Sequence, residues 1–276
     1  RLGRVILLDD CFTTYNAPRW LEKLFWGLFM LRHASFEVIV ADDGSREDTR
    51  EVIDRYRREA PFPVHHVWQP DEGFQKCRIL NKAIVKAQGD YLVFTDGDCI
   101  PRPDFVSVHV AQAERQAFLS GGYVKLPIEL SERITRDDVQ SGRAYDVSWL
   151  SRNGLHRSFK TLKVSASGRW GQLLNSLSPA KSTWNGHNAS CFREHAIAVN
   201  GFEERMQYGG EDVEFGERLE HLGLHAKKIR YSTTCLHLEH GRGYVTESML
   251  LKNQQIREET RALRRVRAVV GLDQYL

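Results

Sequence analysis

Two aspartates one residue apart, in the run Thr95-Asp96-Gly97-Asp98-Cys99, have the clearest chemical potential in this sequence. They follow residues 91–94, a short apolar run that predicts a buried strand. Ligands of open α/β folds bind where such strands end. Two carboxylates this close repel each other unless a cation lies nearby. The pattern therefore indicates a divalent metal ion that holds a phosphorylated substrate, although a D-x-D triplet alone is common by chance.

A second acidic pair lies in the run Asp42-Asp43-Gly44-Ser45, directly after another predicted strand. An aspartate there can accept a hydrogen bond from a base N–H or a ribose hydroxyl of a nucleotide. The alternative is a plain turn that caps the next helix.

Two further runs carry candidate functional groups. In Tyr208-Gly209-Gly210-Glu211-Asp212, the glycines let the backbone approach a ligand closely, and a carboxylate at a helix start is stabilised in its ionised form, which suits a base. The alternative is that both acids only offset the helix dipole. In Leu236-His237-Leu238-Glu239-His240, imidazole is a frequent metal ligand, and alternation places His237 and Glu239 on one side of a strand. Such paired histidines can equally have no catalytic part.

Alternating strands and helices must position these groups. The predicted strands lie at 5–8, 36–41, 64–68 and 91–94. We expect Asn16 to cap the first helix, with Pro18 in its first turn, and Ser45 to begin the second in a capping box with Asp48. The third helix spans 75–88, with Gly89 as its stop. This alternation predicts βαβ units and a mainly parallel sheet.

The second half of the chain is less regular. Over residues 127–182 the periodicity weakens, and we expect a helix only at about 135–150, with the remainder a mobile loop over the site. A helix is predicted at 211–222, ended by Gly223. Another is predicted at 248–270, and it carries the arginines Arg257, Arg261, Arg264, Arg265 and Arg267.

Composition limits the class of protein. The 276 residues are 41% hydrophobic, enough for one large domain or two small ones, and the net charge of +3 suits anionic substrates without demanding nucleic acid. Five scattered cysteines, with no C-x-x-C, favour a reducing compartment over a disulfide framework. No apolar run approaches the ~20 residues of a membrane span, and we expect neither a span nor a signal peptide.

Taken together, the motifs resemble those of family 2 glycosyltransferases of the GT-A fold, over residues 5–241. The nucleotide-binding half is matched by Thr14-Tyr15-Asn16, Asp42-Asp43-Gly44-Ser45 and Gly73-Phe74 with Asn81, and the D-x-D motif by Asp96-Gly97-Asp98. The runs 185–188, 200–204 and 209–212 resemble the C-terminal half shared by chondroitin polymerase and β-1,4-galactosyltransferases, and His237 stands at the position of that group's metal-binding histidine.

The resemblance implies a single GT-A domain, an α/β fold with a mixed, mainly parallel sheet flanked by helices. Its nucleotide-binding half covers about 1–126, its acceptor and catalytic half about 127–241, and a helical tail about 245–276. The implied reaction is an inverting sugar transfer from a nucleotide-sugar to a glycan or lipid-linked acceptor, with no nucleic-acid partner.

The resemblance also assigns roles. Asp212 is the base that takes the acceptor's proton, and Glu211 orients the donor sugar or the acceptor. Asp98 and His237 bind Mn²⁺ or Mg²⁺, and Asp96 touches the ribose or the metal. The residues implied in donor binding are Thr14, Tyr15, Asn16, Asp42, Asp43, Asn81, Asp96, Gly97, Tyr208 and Gly210.

Some features depart from the family pattern. Asp9 and Asp10 interrupt the first predicted strand, so we expect it to restart only at residue 11. Tyr208 stands where galactosyltransferases commonly have Trp, which leaves the sugar open. A UDP-hexose or UDP-N-acetylhexosamine donor and a role in bacterial surface polysaccharide synthesis are the expectation, with a dTDP- or GDP-sugar as the alternative. The other alternative is a non-catalytic module that binds nucleotide-sugar or glycan.

The expected location is the cytoplasm. Because the 248–270 helix is rich in arginine, we also consider peripheral contact with anionic lipid at the inner face of the cytoplasmic membrane; a solvated helix face is the alternative.

Overall fold

Strands and helices alternate over the first third of the chain, as the sequence predicts. The computed structural model describes residues 8–32, 35–241 and 245–276. In chain order the first elements are β1 (Leu8–Thr14), α1 (Pro18–Leu28), β2 (Glu37–Asp42), α2 (Glu47–Glu59), β3 (Val64–Trp68), α3 (Lys76–Lys86) and β4 (Tyr91–Asp96). The predicted strand start at residues 5–7 lies outside the described residues.

Three expectations about these elements are wrong. The strand β1 is unbroken at Asp9 and Asp10, because its backbone pairs with both β2 and β4 there. The N-cap of α1 is Ala17 rather than Asn16, whose side chain instead accepts a hydrogen bond from the Arg46 backbone N–H at 2.9 Å. Helix α2 has Arg46 as its N-cap, because the Ser45 hydroxyl accepts a hydrogen bond from the Asn16 N–H rather than closing a capping box.

The middle of the chain contains more helix than the sequence predicts. After β5 (Cys99–Pro101), α4 (Phe105–Gln112), β6 (Ala117–Ser120) and β7 (Gly122–Lys125) come α5 (Ile128–Arg133), α6 (Arg136–Gln140), α7 (Val147–Arg152), α8 (Leu162–Ser165) and α9 (Gly168–Leu177). Two 3-10 turns lie at Arg143–Tyr145 and Phe159–Thr161. The expectation of a loop outside 135–150 is therefore wrong: short helices bury single apolar residues such as Leu130 and Val164 against the small sheet described below.

The remaining elements complete the sheet and form the tail. They are β8 (Ala189–Phe192), α10 (Arg193–Ala198), α11 (Glu211–His221), β9 (His225–Lys228), β10 (Thr234–His237), α12 (Glu247–Ala262) and a 3-10 turn at Leu272–Tyr275. Helix α11 confirms the prediction to within a residue. Helix α12 ends eight residues earlier than predicted, since Arg264 has a φ of 45°, in the left-handed region.

The arginines of the tail face acidic side chains. Arg257 and Arg261 both donate to Glu217 Oε1, at 2.7 and 2.5 Å. Arg265 lies 3.8 Å from Glu259, and Arg267 lies 3.6 Å from Asp273. Four of the five arginines that suggested a lipid contact thus form ion pairs within the chain, which leaves less free positive charge on the tail for such a contact.

A seven-stranded sheet contains strands from both halves of the chain, in the order β3-β2-β1-β4-β8-β6-β9. Strand β8 is antiparallel to both its neighbours, and the other adjacent pairs are parallel. This confirms the predicted mixed, mainly parallel α/β sheet. Helices α1, α2 and α4 pack on one face around Phe12 and Val38, and α3, α10 and α11 pack on the other around Ile39 and Phe94.

A second, three-stranded sheet has the order β5-β10-β7. Strand β10 runs antiparallel to β5, and this register places His237 opposite Cys99. The small sheet therefore places His237, from the C-terminal part of the chain, next to the carboxyl end of β4. Within the described ranges, no helix has the length and apolarity to cross a bilayer.

Candidate active site

The Asp96-Gly97-Asp98 turn ends β4 near the middle of the large sheet. The Gly97 N–H donates to the Thr13 carbonyl oxygen at 2.9 Å, and a Cβ at position 97 would lie 2.5 Å from that oxygen. Only glycine fits this close approach. The turn sends the two flanking carboxylates to different partners: Asp96 meets a lysine, and Asp98 meets two histidines.

Asp98 is enclosed by imidazole groups. Its Oδ2 lies 2.7 Å from His240 Nε2 and 3.5 Å from His237 Nε2, and the two rings are stacked with their planes 9° apart. Burial would raise the pKa of Asp98, but the hydrogen bond from His240 and the charge of His237 bring it below its ordinary value. The predicted partner His237 is thus in place.

The partner His240 was not predicted. It stands in the same sequence run as His237, three residues on, and that H-x-x-H spacing was the available signal. Because strand β10 ends at His237, the chain can turn after it and bring His240 back over Asp98.

These side chains form a set that fits a hard divalent cation. The donor atoms of Asp98, Cys99 and His237 lie within 4.8 Å of one another. The buried Nδ1 of His237 has no hydrogen-bond partner in the described part of the chain, and His240 adds a second imidazole. Burial raises the pKa of the Cys99 thiol well above its usual value, so this sulfur is poorly suited as a thiolate ligand. Carboxylate and imidazole ligands suit Mn²⁺, with Mg²⁺ the weaker match to imidazole.

Lys76 contacts carboxylates from two separate parts of the chain, the end of β4 and the start of α11. Its Nζ lies 3.3 Å from Asp96 Oδ1, 3.5 Å from Asp212 Oδ2 and 3.9 Å from Glu211 Oε1. Sequence reasoning missed this residue. The signal was a lysine at the first position of α3, where the helix dipole disfavours a cation unless acids from elsewhere face it.

The two acids at the start of α11 have unusual protonation. Burial, followed by the charge of Asp212, raises the pKa of Glu211 to about 7. Burial also raises the pKa of Asp212, and the ammonium group of Lys76 opposes that rise. The three surrounding carboxylates outweigh the burial of Lys76 and hold its pKa well above the usual value. Near neutral pH the charged Lys76 therefore favours an ionised Asp212.

The position of this pair follows from a glycine turn. Gly210, the N-cap of α11, has a φ of 87°, which a side chain rarely allows. The turn lets Glu211 Oε2 accept a hydrogen bond from the Gly209 N–H at 2.8 Å. In the neighbouring carboxylate, Asp212 Oδ1 is buried and has no hydrogen-bond partner among the described residues.

The residues predicted for the nucleoside lie at the ends of β1 and β2. Thr14 is buried, and its hydroxyl lacks a partner in the described ranges. Tyr15 is exposed and donates through its hydroxyl to Asp71 at 2.9 Å, while Asn16 joins the turn after β2. Asp43 accepts hydrogen bonds from Gln69 Nε2 and the Gln75 N–H, and burial raises its pKa to about 6.

Two predicted donor-binding residues are engaged within the protein. Asp42 is fully buried; it accepts from the Ser45 N–H, and its other oxygen lies 2.9 Å from His66 Nε2. Asn81 is also fully buried, and its amide binds the Phe202 carbonyl, the Phe202 N–H and Glu204. Both side chains are thus fully buried and hydrogen-bonded within the protein, and their contact with the donor stays a prediction.

Two aromatic side chains stand near the start of α11. The ring of Tyr208 meets the ring of Phe74 edge to face, with centroids 5.8 Å apart. The His187 ring lies 6.4 Å from that of His237, and burial lowers the pKa of His187 to about 4, which favours a neutral imidazole near pH 7.

Comparison with known proteins shows the family and the fold. Residues 11–163 match the family model described as glycosyl transferase family 2, and residues 178–241 match the model described as the N-terminal domain of galactosyltransferase. The chain is 30% identical over 232 residues to the hyaluronan synthase of Pasteurella multocida, and 28% identical over 242 residues to the chondroitin synthase of the same species (strain Pm70). These alignments cover 80% and 79% of this chain but only 24% and 23% of the relatives, so the chain spans about a quarter of their length.

Solved structures show the same fold. The mannosyltransferase PcManGT from Pyrobaculum calidifontis, in complex with GDP-Man and Mn²⁺, superposes with a TM-score of 0.61 at 17% identity, over 95% of this chain and 65% of that one. S. aureus TarS 1-349, in complex with UDP-GlcNAc, gives 0.61 at 14% identity, over 98% and 69%. These similarities confirm the GT-A fold. Since a family model covers more than half of the sequence, the chain belongs to glycosyl transferase family 2.

Proposed function

We propose that the protein is a metal-dependent, inverting glycosyltransferase that moves a sugar from a nucleotide-sugar to a hydroxyl group of a glycan or glycolipid. The observation that carries this proposal is the convergence of two groups at the end of β4. Asp98, His237 and His240 can together bind a cation. Asp212 can act as a base, and the Lys76 ammonium group, which also faces Asp96, is its counter-charge.

The donor is proposed to lie along the ends of β1, β2 and β4. Thr14 and Tyr15 line the nucleoside pocket, and Asp43 contacts the base or ribose. Asp98, His237 and His240 would hold Mn²⁺ or Mg²⁺, which when bound would offset the charge on the departing diphosphate. Asp96 faces Lys76 at 3.3 Å, and we place it on the ribose side rather than among the metal ligands.

The acceptor reaction is assigned to Asp212. As the acceptor oxygen attacks the anomeric carbon, the Asp212 carboxylate takes its proton, and the bond from that carbon to the nucleoside diphosphate breaks on the opposite face. One displacement inverts the configuration. The Asp212 side chain is partly exposed and lies 3.5 Å from the Lys76 ammonium group, which favours its ionised form and so supports this role. Glu211 is proposed to orient the donor sugar or the acceptor.

The donor is proposed to be a UDP-hexose or UDP-N-acetylhexosamine, in bacterial surface polysaccharide synthesis. The UDP-GlcNAc complex of TarS and the polysaccharide synthases among the relatives support this choice. The GDP-Man complex of PcManGT keeps a GDP-sugar as the alternative within the class. The alternative from another class of protein is a non-catalytic binding module. Such a module does not need a base, so the pairing of Asp212 with Lys76 argues against it.

The test is nucleotide release. The protein is incubated with Mn²⁺ and a panel of UDP-, dTDP- and GDP-sugars, with and without a mixture of glycan acceptors, and the free nucleotide is measured. Release with one nucleotide class, abolished in Asp212→Asn, supports the proposal. Binding of a nucleotide-sugar with no release in any combination would support the binding module instead.

A further inference from the structure

A long stretch of this chain contains no acidic residue. Residues 147–193 hold no Asp or Glu, although the whole sequence of 276 residues has 36 of them. The Lys and Arg residues in this stretch are Arg152, Arg157, Lys160, Lys163, Arg169, Lys181 and Arg193. The stretch includes α7, α8 and α9 and is therefore a strongly positive part of the folded chain.

The cations near α8 and α9 are not neutralised by the rest of the fold. Within the ranges that the structure describes, no carboxylate lies in ion-pair distance of Lys160, Lys163, Arg169 or Lys181, nor of Arg230 in the loop before β10. This contrasts with the tail, where Arg257 and Arg261 share Glu217.

Helix α9 carries an exposed apolar stripe. Trp170, Leu173 and Leu177 are 56%, 48% and 69% exposed, and at 100° per residue they lie within roughly 60° of arc. Phe159, in the preceding 3-10 turn, is 63% exposed. Four large apolar side chains in one short segment are thus presented to solvent.

The other side of α9 is firmly attached to the protein. Leu174 is buried with Tyr231, and Asn175 accepts a hydrogen bond from the Tyr231 N–H at 2.8 Å. Asn175 also donates to the Ser232 hydroxyl at 2.8 Å. These contacts fix the orientation of α9, and in that orientation Trp170, Leu173 and Leu177 are exposed to solvent.

Phe159 and three of the cations, Lys163, Lys181 and Arg230, lie close together around residues 230–232. The Phe159 ring lies 5.9 Å from the Tyr231 ring, and Arg230 donates to the Lys181 carbonyl oxygen at 2.7 Å. The side chains of Lys163 and Arg230 both lie beside Gly122, where an added Cβ would be 3.3 Å from each, so these positive side chains are close together. Burial, with the charges of Arg230 and Lys160, lowers the pKa of Lys163 to about 8. We call this surface the basic-apolar face: Phe159, Trp170, Leu173 and Leu177, with Lys160, Lys163, Arg169, Lys181 and Arg230.

We propose that the basic-apolar face docks on an anionic lipid bilayer. The positive charge of the face favours an anionic partner. The exposed Leu173, Leu177, Trp170 and Phe159 favour a lipid surface, because apolar side chains can insert between lipid headgroups. A polyanionic glycan would satisfy the cations but would leave Leu173 and Leu177 exposed to water. This inference goes beyond the proposed transfer reaction, because it concerns where the protein sits and not what it transfers.

The face is connected to the candidate active site. Lys163 Nζ donates to the Tyr123 carbonyl oxygen at 3.2 Å, and the Tyr123 ring lies 4.4 Å from that of His187 and 5.4 Å from that of His237. A bilayer on the basic-apolar face would thus lie beside the acceptor half of the site.

The experiment is flotation of the 276-residue protein with large unilamellar vesicles. One set is phosphatidylcholine alone, and the other contains about one third phosphatidylglycerol. We expect binding to the anionic vesicles at low salt, weaker binding in high salt, and little to phosphatidylcholine alone. Replacing the stripe in Trp170→Ser/Leu173→Ser/Leu177→Ser should weaken binding roughly tenfold or more. In Lys160→Gln/Arg169→Gln the salt dependence should be reduced.

The matched control is Leu263→Ser/Val269→Ser, which removes exposed apolar residues beside the arginines of the tail. Its binding should equal that of the unchanged protein. Circular dichroism and nucleotide binding confirm that each variant is folded, and the charge variant tests the face independently if the triple variant does not fold. Equal binding of the stripe variant, loss of binding in the control, or no vesicle binding would overturn the proposal. A dimer that the stripe variant dissociates, without vesicle binding, would assign the face to a second copy of the chain instead.

Discussion

The ammonium group of Lys76 lies 3.5 Å from the carboxylate of Asp212, although the two residues are 136 positions apart in the sequence. Lys76 begins α3, in the half of the chain assigned to the nucleotide, and Asp212 begins α11, in the half assigned to the acceptor. The contact therefore joins the two halves at the place where the sugar is proposed to pass between them.

Asp212→Asn should abolish turnover and leave donor binding nearly unchanged. The amide keeps the size of the side chain but cannot take the acceptor's proton, and general-base catalysis contributes about 10²–10⁴-fold to rate. The measurement pairs sugar transfer with calorimetric titration of the nucleotide-sugar in the presence of Mn²⁺. If donor affinity falls together with turnover, Asp212 is a ligand contact and not the base.

Lys76→Met should move the acid limb of the pH profile of kcat/KM to higher pH. Burial already raises the pKa of Asp212, and Lys76 opposes that rise, so removing the cation raises this pKa further. A larger share of Asp212 is then protonated and inactive at neutral pH. The measurement is the pH profile with saturating Mn²⁺.

Lys76→Arg should restore most of the original profile because it keeps the charge. Lys86→Met, an exposed lysine of the same helix, is the matched control and should leave the profile unchanged. An unshifted acid limb in Lys76→Met, with a raised KM for the donor, would instead place Lys76 on the diphosphate.

His237→Ala and His240→Ala should each weaken Mn²⁺ binding. Each removes one imidazole next to Asp98, and loss of even an outer-shell partner of a metal typically costs about 10–100-fold in affinity. Titration followed by the electron paramagnetic resonance signal of free Mn²⁺ measures the change without requiring activity.

The control for the metal site is His156→Ala, which removes an exposed histidine and should bind Mn²⁺ like the unchanged protein. Unchanged affinity in His240→Ala alone would leave His240 as a hydrogen-bond partner of Asp98 and confine the ligands to Asp98 and His237.

Glu214→Gln should lower the free energy of unfolding by about 3 kcal/mol or more. Glu214 and Arg218 form a fully buried ion pair in α11 at 2.8 Å, Arg218 also donates to the Val199 carbonyl, and Glu214 accepts from Thr260 of α12. Without the carboxylate, Arg218 remains buried without its counter-charge. Chemical denaturation measures the loss.

The matched control for this pair is Arg261→Gln. Arg261 and Glu217 join the same two helices at the surface, where an ion pair contributes about 1 kcal/mol or less. Equal losses in the two variants would contradict the assigned difference between buried and exposed pairs.

Local patterns in the sequence determined most of the framework. The apolar runs before Asp43 and Asp96 specified β2 and β4, and the glycine pair with spaced apolar residues specified the start and extent of α11. These features depend on neighbours within one element, so hydrophobic periodicity and turn chemistry suffice to read them. The resemblance, which rests on motif order, added His237 as a partner of Asp98.

The tertiary structure decided which polar residues face the site. Asp42 and Asn81 have the chemistry of donor ligands, but the folded chain uses their polar atoms on Ser45, His66 and residues 202–204. Lys76 and His240 acquired their places because α3, α11 and β10 converge on the end of β4. The contacts of Lys76 with Asp212 and of His240 with Asp98 join residues more than 100 positions apart, and no period or spacing along the chain records which of them will meet.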